Sequence, residues 1–103
     1  LGASSRLFVV DGLSGAATLV GTAPISPTVA GSTAGFDFNP VPDRVRIVSG
    51  VQNLRVNPND ASAIRDGDLA FAAGDANAGQ TPNVVAAGYT NSVRGATSTS
   101  LFV

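Results

Sequence analysis

Apolar and polar residues alternate along this chain in short runs of period two, and clusters of Gly, Pro, Asn and Asp separate the runs. Phe36 and Phe38 alternate with Asp37 and Asn39, Val45 and Ile47 with Arg44 and Arg46, and Leu54 and Val56 with Asn53, Arg55 and Asn57. Period two places successive side chains on opposite faces of a strand, so each run predicts a strand and none a helix. A fourth run, residues 61–65, follows Pro58-Asn59-Asp60, and the connections at 39–43, 49–52 and 58–60 hold residues that preset a turn. The pattern therefore predicts one up-and-down antiparallel sheet over residues 35–66.

The flanks carry shorter versions of the same plan. Residues 6–10 read as a strand that turns through Asp11-Gly12-Leu13-Ser14-Gly15 into a second strand at 16–20. Residues 22–34, with Pro24 and Pro27, show no alternation and predict an irregular crossover. Residues 67–82 form a second loop in which 69–73 reads as a short strand or one helical turn. Beyond it lie a strand at 84–90, a turn at 91–95 and a terminal strand at 99–103.

These units repeat. The run Leu7-Phe8-Val9-Val10-Asp11, a turn and Gly15-Ala16-Ala17-Thr18-Leu19 match Leu54-Arg55-Val56-Asn57-Pro58, a turn and Asp60-Ala61-Ser62-Ala63-Ile64. In the other half, Phe36-Asp37-Phe38-Asn39 and the strand at 44–48 match Gly88-Tyr89-Thr90-Asn91 and the strand at 100–103. A spacing of about 45 to 50 residues suits a four-stranded propeller blade. With the strands of a blade lettered A to D, the single repeat domain 1–103 reads as a half blade C-D (1–21), a full blade A-B-C-D (35–66) and a half blade A-B (83–103). The expected fold class is all-β, built of antiparallel, four-stranded, propeller-blade-like repeats.

Composition narrows the class further. The chain of 103 residues is 44% hydrophobic and only 13% charged, which is too apolar for a disordered segment. Every basic residue is Arg and every acidic one Asp, so the charged residues that favour helices are missing. A net charge of −1 offers no footprint for nucleic acid or an anionic membrane surface. No stretch has the length of a membrane-spanning helix, so no membrane insertion is expected. Cysteine and histidine are both absent, which removes disulfides, thiolate metal sites, the usual general base and the commonest transition-metal ligand. Richness in Thr, Ser, Asn and Gly without Lys or Glu leads us to expect an extracellular or cell-surface protein. A start at Leu1 rather than Met leads us to expect a processed or excised segment.

Three stretches also carry a resemblance. The run from Gly31-Ser32-Thr33-Ala34-Gly35-Phe36-Asp37-Phe38-Asn39 through Pro40-Val41-Pro42-Asp43-Arg44-Val45-Arg46, the segment Gln52-Asn53-Leu54-Arg55-Val56-Asn57-Pro58, and Ala86-Ala87-Gly88-Tyr89-Thr90-Asn91 resemble a secreted bacterial family known as domain of unknown function 4394. The resemblance implies a propeller-like repeat architecture, an extracytoplasmic address and members longer than this chain. It implies no activity and no catalytic residues.

Candidate chemistry is sparse. Asp37, Asn39, Arg44, Arg46, Asn53, Arg55 and Asn57 lie on the strand faces opposite the apolar residues. If neighbouring sheets cover both faces, these arginines need acceptors or an escape to water. Asp37 and Asp43 are the expected partners, forming with Arg44, Arg46 and Arg55 a structural polar network; the other reading is an anion or carboxylate site. The segment Asp75-Ala76-Asn77-Ala78-Gly79-Gln80 echoes a calcium loop, with Asp75 and Asn77 as weak candidate ligands. Gly79 falls where a third oxygen ligand belongs, so an Asx turn is the stronger expectation. No cofactor is expected beyond that weak calcium signal. Ser and Thr nucleophiles lack a His or Lys to activate them, and no Asp pair stands out by spacing, so no enzymatic activity is expected.

The first and last strands present open edges. Leu7, Phe8 and Val9 at one end and Leu101, Phe102 and Val103 at the other form the expected interface of a homo-oligomer. The expected function is structural: the A-B half of one copy completes a blade with the C-D half of the next, giving a ring or a filament. The alternative is a ligand-binding propeller module, with a surface glycan held by the loops at 21–34 and 67–82, or stacked on Tyr89.

Overall fold

The computed structural model describes residues 1–2 and 4–103. Its regular elements are strands alone: β1 (Phe8–Val10), β2 (Ala17–Leu19), β3 (Gly35–Asn39), β4 (Arg44–Ser49), β5 (Gln52–Val56), β6 (Ala63–Arg65), β7 (Gly88–Tyr89) and β8 (Leu101–Phe102). They form three antiparallel sheets, β1-β2, β3-β4-β5-β6 and β7-β8. The all-β class and the central meander therefore stand as the alternation predicts. Among the described residues the sheets close into neither a barrel nor a propeller.

Register sorts the central sheet into two unlike faces, because directly opposed residues share a face. The pairs Phe36↔Ile47, Phe38↔Val45, Ile47↔Leu54 and Val45↔Val56 make one face apolar. Asp37↔Arg46, Arg46↔Arg55 and Arg55↔Ile64 make the other largely charged. Residues from the first hairpin and the crossover cover the part of the apolar face built by β4 and β5, while Phe36 and Phe38 stay exposed. Leu7, Val20 and Ile25 join Val45, Ile47, Leu54, Val56 and Ala61 in the core cluster, with Val29 and Ala34 packed against it.

The crossover at 22–34 is thus part of the core lid, and its backbone is satisfied by three buried polar side chains. Ser5 Oγ accepts the Val29 amide at 2.9 Å, and Gln52 accepts the Ala30 amide at 2.8 Å while donating to the Thr28 carbonyl at 2.9 Å. Ser49 Oγ stands within reach of the Ala30 and Thr33 carbonyls and donates its single proton to one of them at a time. Irregular backbone can be buried only on such terms. Among the described residues no buried side-chain polar atom lacks a partner.

The outer hairpins pair in the manner of parts of the central sheet, but in a phase one or two residues away from the alignment expected above. Asp11 N donates to Ala16 O and Gly15 N to Asp11 O, while Asn57 N donates to Ser62 O and Ala61 N to Asn57 O. The two turns superpose Asp11 on Asn57 and Gly15 on Ala61, and both of the latter have positive φ, +74° and +61°. Phe8↔Leu19 and Val10↔Ala17 then match Leu54↔Arg65 and Val56↔Ala63. In the second half, Gly35↔Val48 and Phe36↔Ile47 match Gly88↔Phe102 and Tyr89↔Leu101. One residue of slip exchanges the faces of a strand, so the correction matters.

Two expected elements differ. The strand at 84–90 is broken: only Gly88–Tyr89 pair with β8, and Val84 forms an isolated bridge with Gly50 at the β4-β5 turn. The chain at 86–87 is held instead against Gly35, where an added Cβ would stand 2.4 Å from the Ala86 carbonyl carbon and the Ala87 nitrogen. Residues 69–73 form neither strand nor helix, and Leu69 N donates to Val51 O at 2.9 Å. Gly35→Ala is expected to destabilise the protein by about 2–3 kcal/mol, the upper part of the range for overpacking, because both obstructing atoms are backbone. An unchanged urea midpoint would mean that residues 86–87 do not press on β3.

Candidate assembly surfaces

The charged face of the central sheet collects one polar network, and its acceptor is a residue that alternation alone does not single out. Arg46 Nη1 donates to Asp66 Oδ2 at 2.6 Å and to Asn53 Oδ1 at 2.7 Å, and its Nε donates to the Tyr89 hydroxyl at 3.2 Å. Arg55 grips the same carboxylate from the other side, with Nε 2.9 Å from Oδ2 and Nη2 2.8 Å from Oδ1. Burial alone would raise the Asp66 carboxyl, but the hydrogen bonds from Arg46 and Arg55 outweigh it and hold the group below the ordinary carboxylate range. Burial likewise opposes the Arg46 charge, and its bonds to Asp66 and Tyr89 more than restore it.

Asp37 and Asp43, expected as the partners, are engaged by other groups, although Asp37 stands directly opposite Arg46. Asp37 accepts the Tyr89 amide at 2.6 Å and the Phe38 amide at 2.8 Å, so it fastens β7 to β3. Asp43 sits exposed at the β3-β4 turn with φ +50°, and Arg44 donates to its carbonyl at 2.9 Å and to that of Pro42 at 3.3 Å. Asp66 was legible in the register. Its amide donates to Asn53 O at 2.9 Å, which carries the β5-β6 ladder one pair beyond the strand and sets its carboxylate on the face of Arg46 and Arg55.

The other candidates have local work. Asp75 Oδ1 accepts the Asn77 amide at 2.8 Å, an Asx turn, and Asn77 Oδ1 lies 3.5 Å from Gln80 Nε2. Among the described residues no cluster of three or more His, Cys, Asp or Glu is placed to hold a metal ion. Tyr89 is half-buried with its hydroxyl on Arg46, so its ring is a packing element between sheets.

Among the described residues, each of the two outer sheets has an unpaired edge. Of the residues expected at an interface, Leu7 is 5% exposed and belongs to the chain's own core, a position that follows from the corrected register. Phe8, Val9, Phe102 and Val103 are exposed, and Leu101 is half-buried on the Tyr89 side of the last sheet. On the outward face of the first sheet Phe8, Val10 and Leu19 lie together, exposed by 37%, 61% and 40%. By the repeat, Phe8 and Val10 occupy the places of Leu54 and Val56, which are completely buried in the central sheet. An apolar face built like a covered one here stands uncovered. Each outer sheet also has strands paired on one side only, since β1 pairs β2 and β8 pairs β7.

A family profile described as a domain of unknown function, DUF4394, matches residues 1–103, the whole chain. The chain belongs to the DUF4394 family. No curated protein and no solved structure matches this DUF4394 chain.

Proposed function

We propose that this DUF4394 chain is a non-enzymatic structural protein of the cell exterior, whose outer sheets act as half blades completed by the complementary half blades of further copies. The observation that carries the reading is the outward face of Phe8, Val10 and Leu19: Phe8 and Val10 stand where the central sheet buries Leu54 and Val56, yet the face lies open in the single chain. Covering such a face removes apolar area from water at roughly 25 cal/mol per Å². Pairing the free edges supplies main-chain hydrogen bonds at the same time. The contact joins unlike ends, so it closes into a propeller-like ring if the rotation per copy permits and otherwise extends as a filament.

Light scattering after size exclusion tests the reading. The protein is expected to elute as a multiple of its 10.2 kDa chain mass at micromolar concentration. A stable monomer over that range would refute it. Replacing Val10 with Asp is expected to shift the particle towards monomer, since the charge would have to be desolvated in the contact.

A further inference from the structure

We infer that β8 of one copy pairs antiparallel with β1 of the next in one defined register, with Ser100 opposite Val9 and Leu101 opposite Phe8. The inference deepens the assembly reading and rests on it. Its template lies inside the chain, where β4 and β5 are the strands equivalent to β8 and β1. Ile47 matches Leu101 through their pairs with Phe36 and Tyr89, and Leu54 matches Phe8 through their pairs with Arg65 and Leu19. Since Ile47 opposes Leu54 and Arg46 opposes Arg55, the equivalent strands of two copies meet as Leu101 with Phe8 and Ser100 with Val9.

A second observation agrees with this register. The charged face of the central sheet is covered only in part: Tyr89 lies on Arg46, while Ile64 is 59% exposed and the Arg55 side chain 46% exposed. Tyr89 and Leu101 share the face that the last sheet turns towards Arg46. In the stated register Phe8, Val10 and Leu19 of the incoming copy join that same face and continue it over Arg55 and Ile64. The open apolar set of one copy thus covers the open flank of the other. A shift by one residue would turn Phe8 and Val10 to the opposite side and leave both patches in water. The occupant is therefore a second copy of this chain, placed by the register of its own central sheet.

The absence of cysteine makes the test clean. Val9 and Ser100 are exposed and uncharged, so the double variant Val9→Cys/Ser100→Cys keeps the core intact. Directly opposed positions on antiparallel strands lie within reach of a disulfide. Oxidation with a glutathione redox pair is expected to convert most of this variant into covalent multimers beyond the dimer. The offset control, Val10→Cys/Ser100→Cys, is expected to give several-fold less. Equal cross-linking of the two, or none in the first while scattering still shows oligomers, would overturn the register and leave assembly standing. A monomer by scattering with no cross-link would overturn both.

Discussion

Leu54→Ala is expected to lower the unfolding free energy by about 3–5 kcal/mol, the upper part of the range for a buried leucine. Leu54 is fully buried between Ile47 and Arg65 on neighbouring strands, and Leu7, Val20 and Ile25 belong to the same core cluster from the lid above. Strand β5 is hydrogen-bonded on both sides, so its backbone has little freedom to close over the void. Cavity and transfer terms then add. Against a total of about 5–15 kcal/mol for a domain of this kind, the variant would be near the edge of folding. Urea unfolding measures the loss directly. Leu13→Ala, at a turn residue fully exposed to solvent, is the matched control and should leave the midpoint within error. Equal losses at the two positions would contradict the placement of the core.

Asp66→Ala is expected to destabilise by about 2–3 kcal/mol, below the range for a fully buried ion pair because Asp66 keeps 25% and Arg46 13% of its side chain exposed. The loss comes mainly from Arg46, which would retain Asn53 and Tyr89 but face a carboxylate-free pocket with its charge partly desolvated. The pH dependence has a definite sign. Asp66 titrates lower in the folded chain than in the unfolded one, so its contribution is fully present above the unfolded value of about 3.9 and is lost as pH falls through the folded value. The gap between wild type and Asp66→Ala should hold constant from neutral pH down to about 4 and close only below it. A gap that closes near neutrality would exclude Asp66 as the partner of the two arginines.

Local chemistry made most of the fold readable. Alternation around Phe36, Val45 and Leu54 assigned both faces of the central sheet, and Pro, Asp and Gly marked its turns, because face and turn are decided within a few residues. The partner of Arg46 was not readable that way. Asp37 and Asp43 are nearer in sequence, but Asp66 wins because the β5-β6 register continues past the strand end. The broken strand at 84–90 meets equally remote neighbours: Val84 bridges Gly50, and residues 86–87 pass against the bare Cα of Gly35. The repeat was visible in composition, yet its phase was fixed only by matching turns at Asp11 and Asn57. At the candidate interface, Leu7 turns into the core for the same reason. Outward and inward residues alternate, so an error of one position exchanges them.

The central sheet presents Leu54 and Val56 on one side and Arg46 and Arg55 on the other. A layer with such unlike sides has a sense, like a card with a front and a back. Turning the central sheet over would set the Arg46 and Arg55 guanidinium groups against Leu7, Val20 and Ile25 of the core and strand their charges away from water. The central sheet thus carries its own front and back, and no separate device is needed to set which side meets the core.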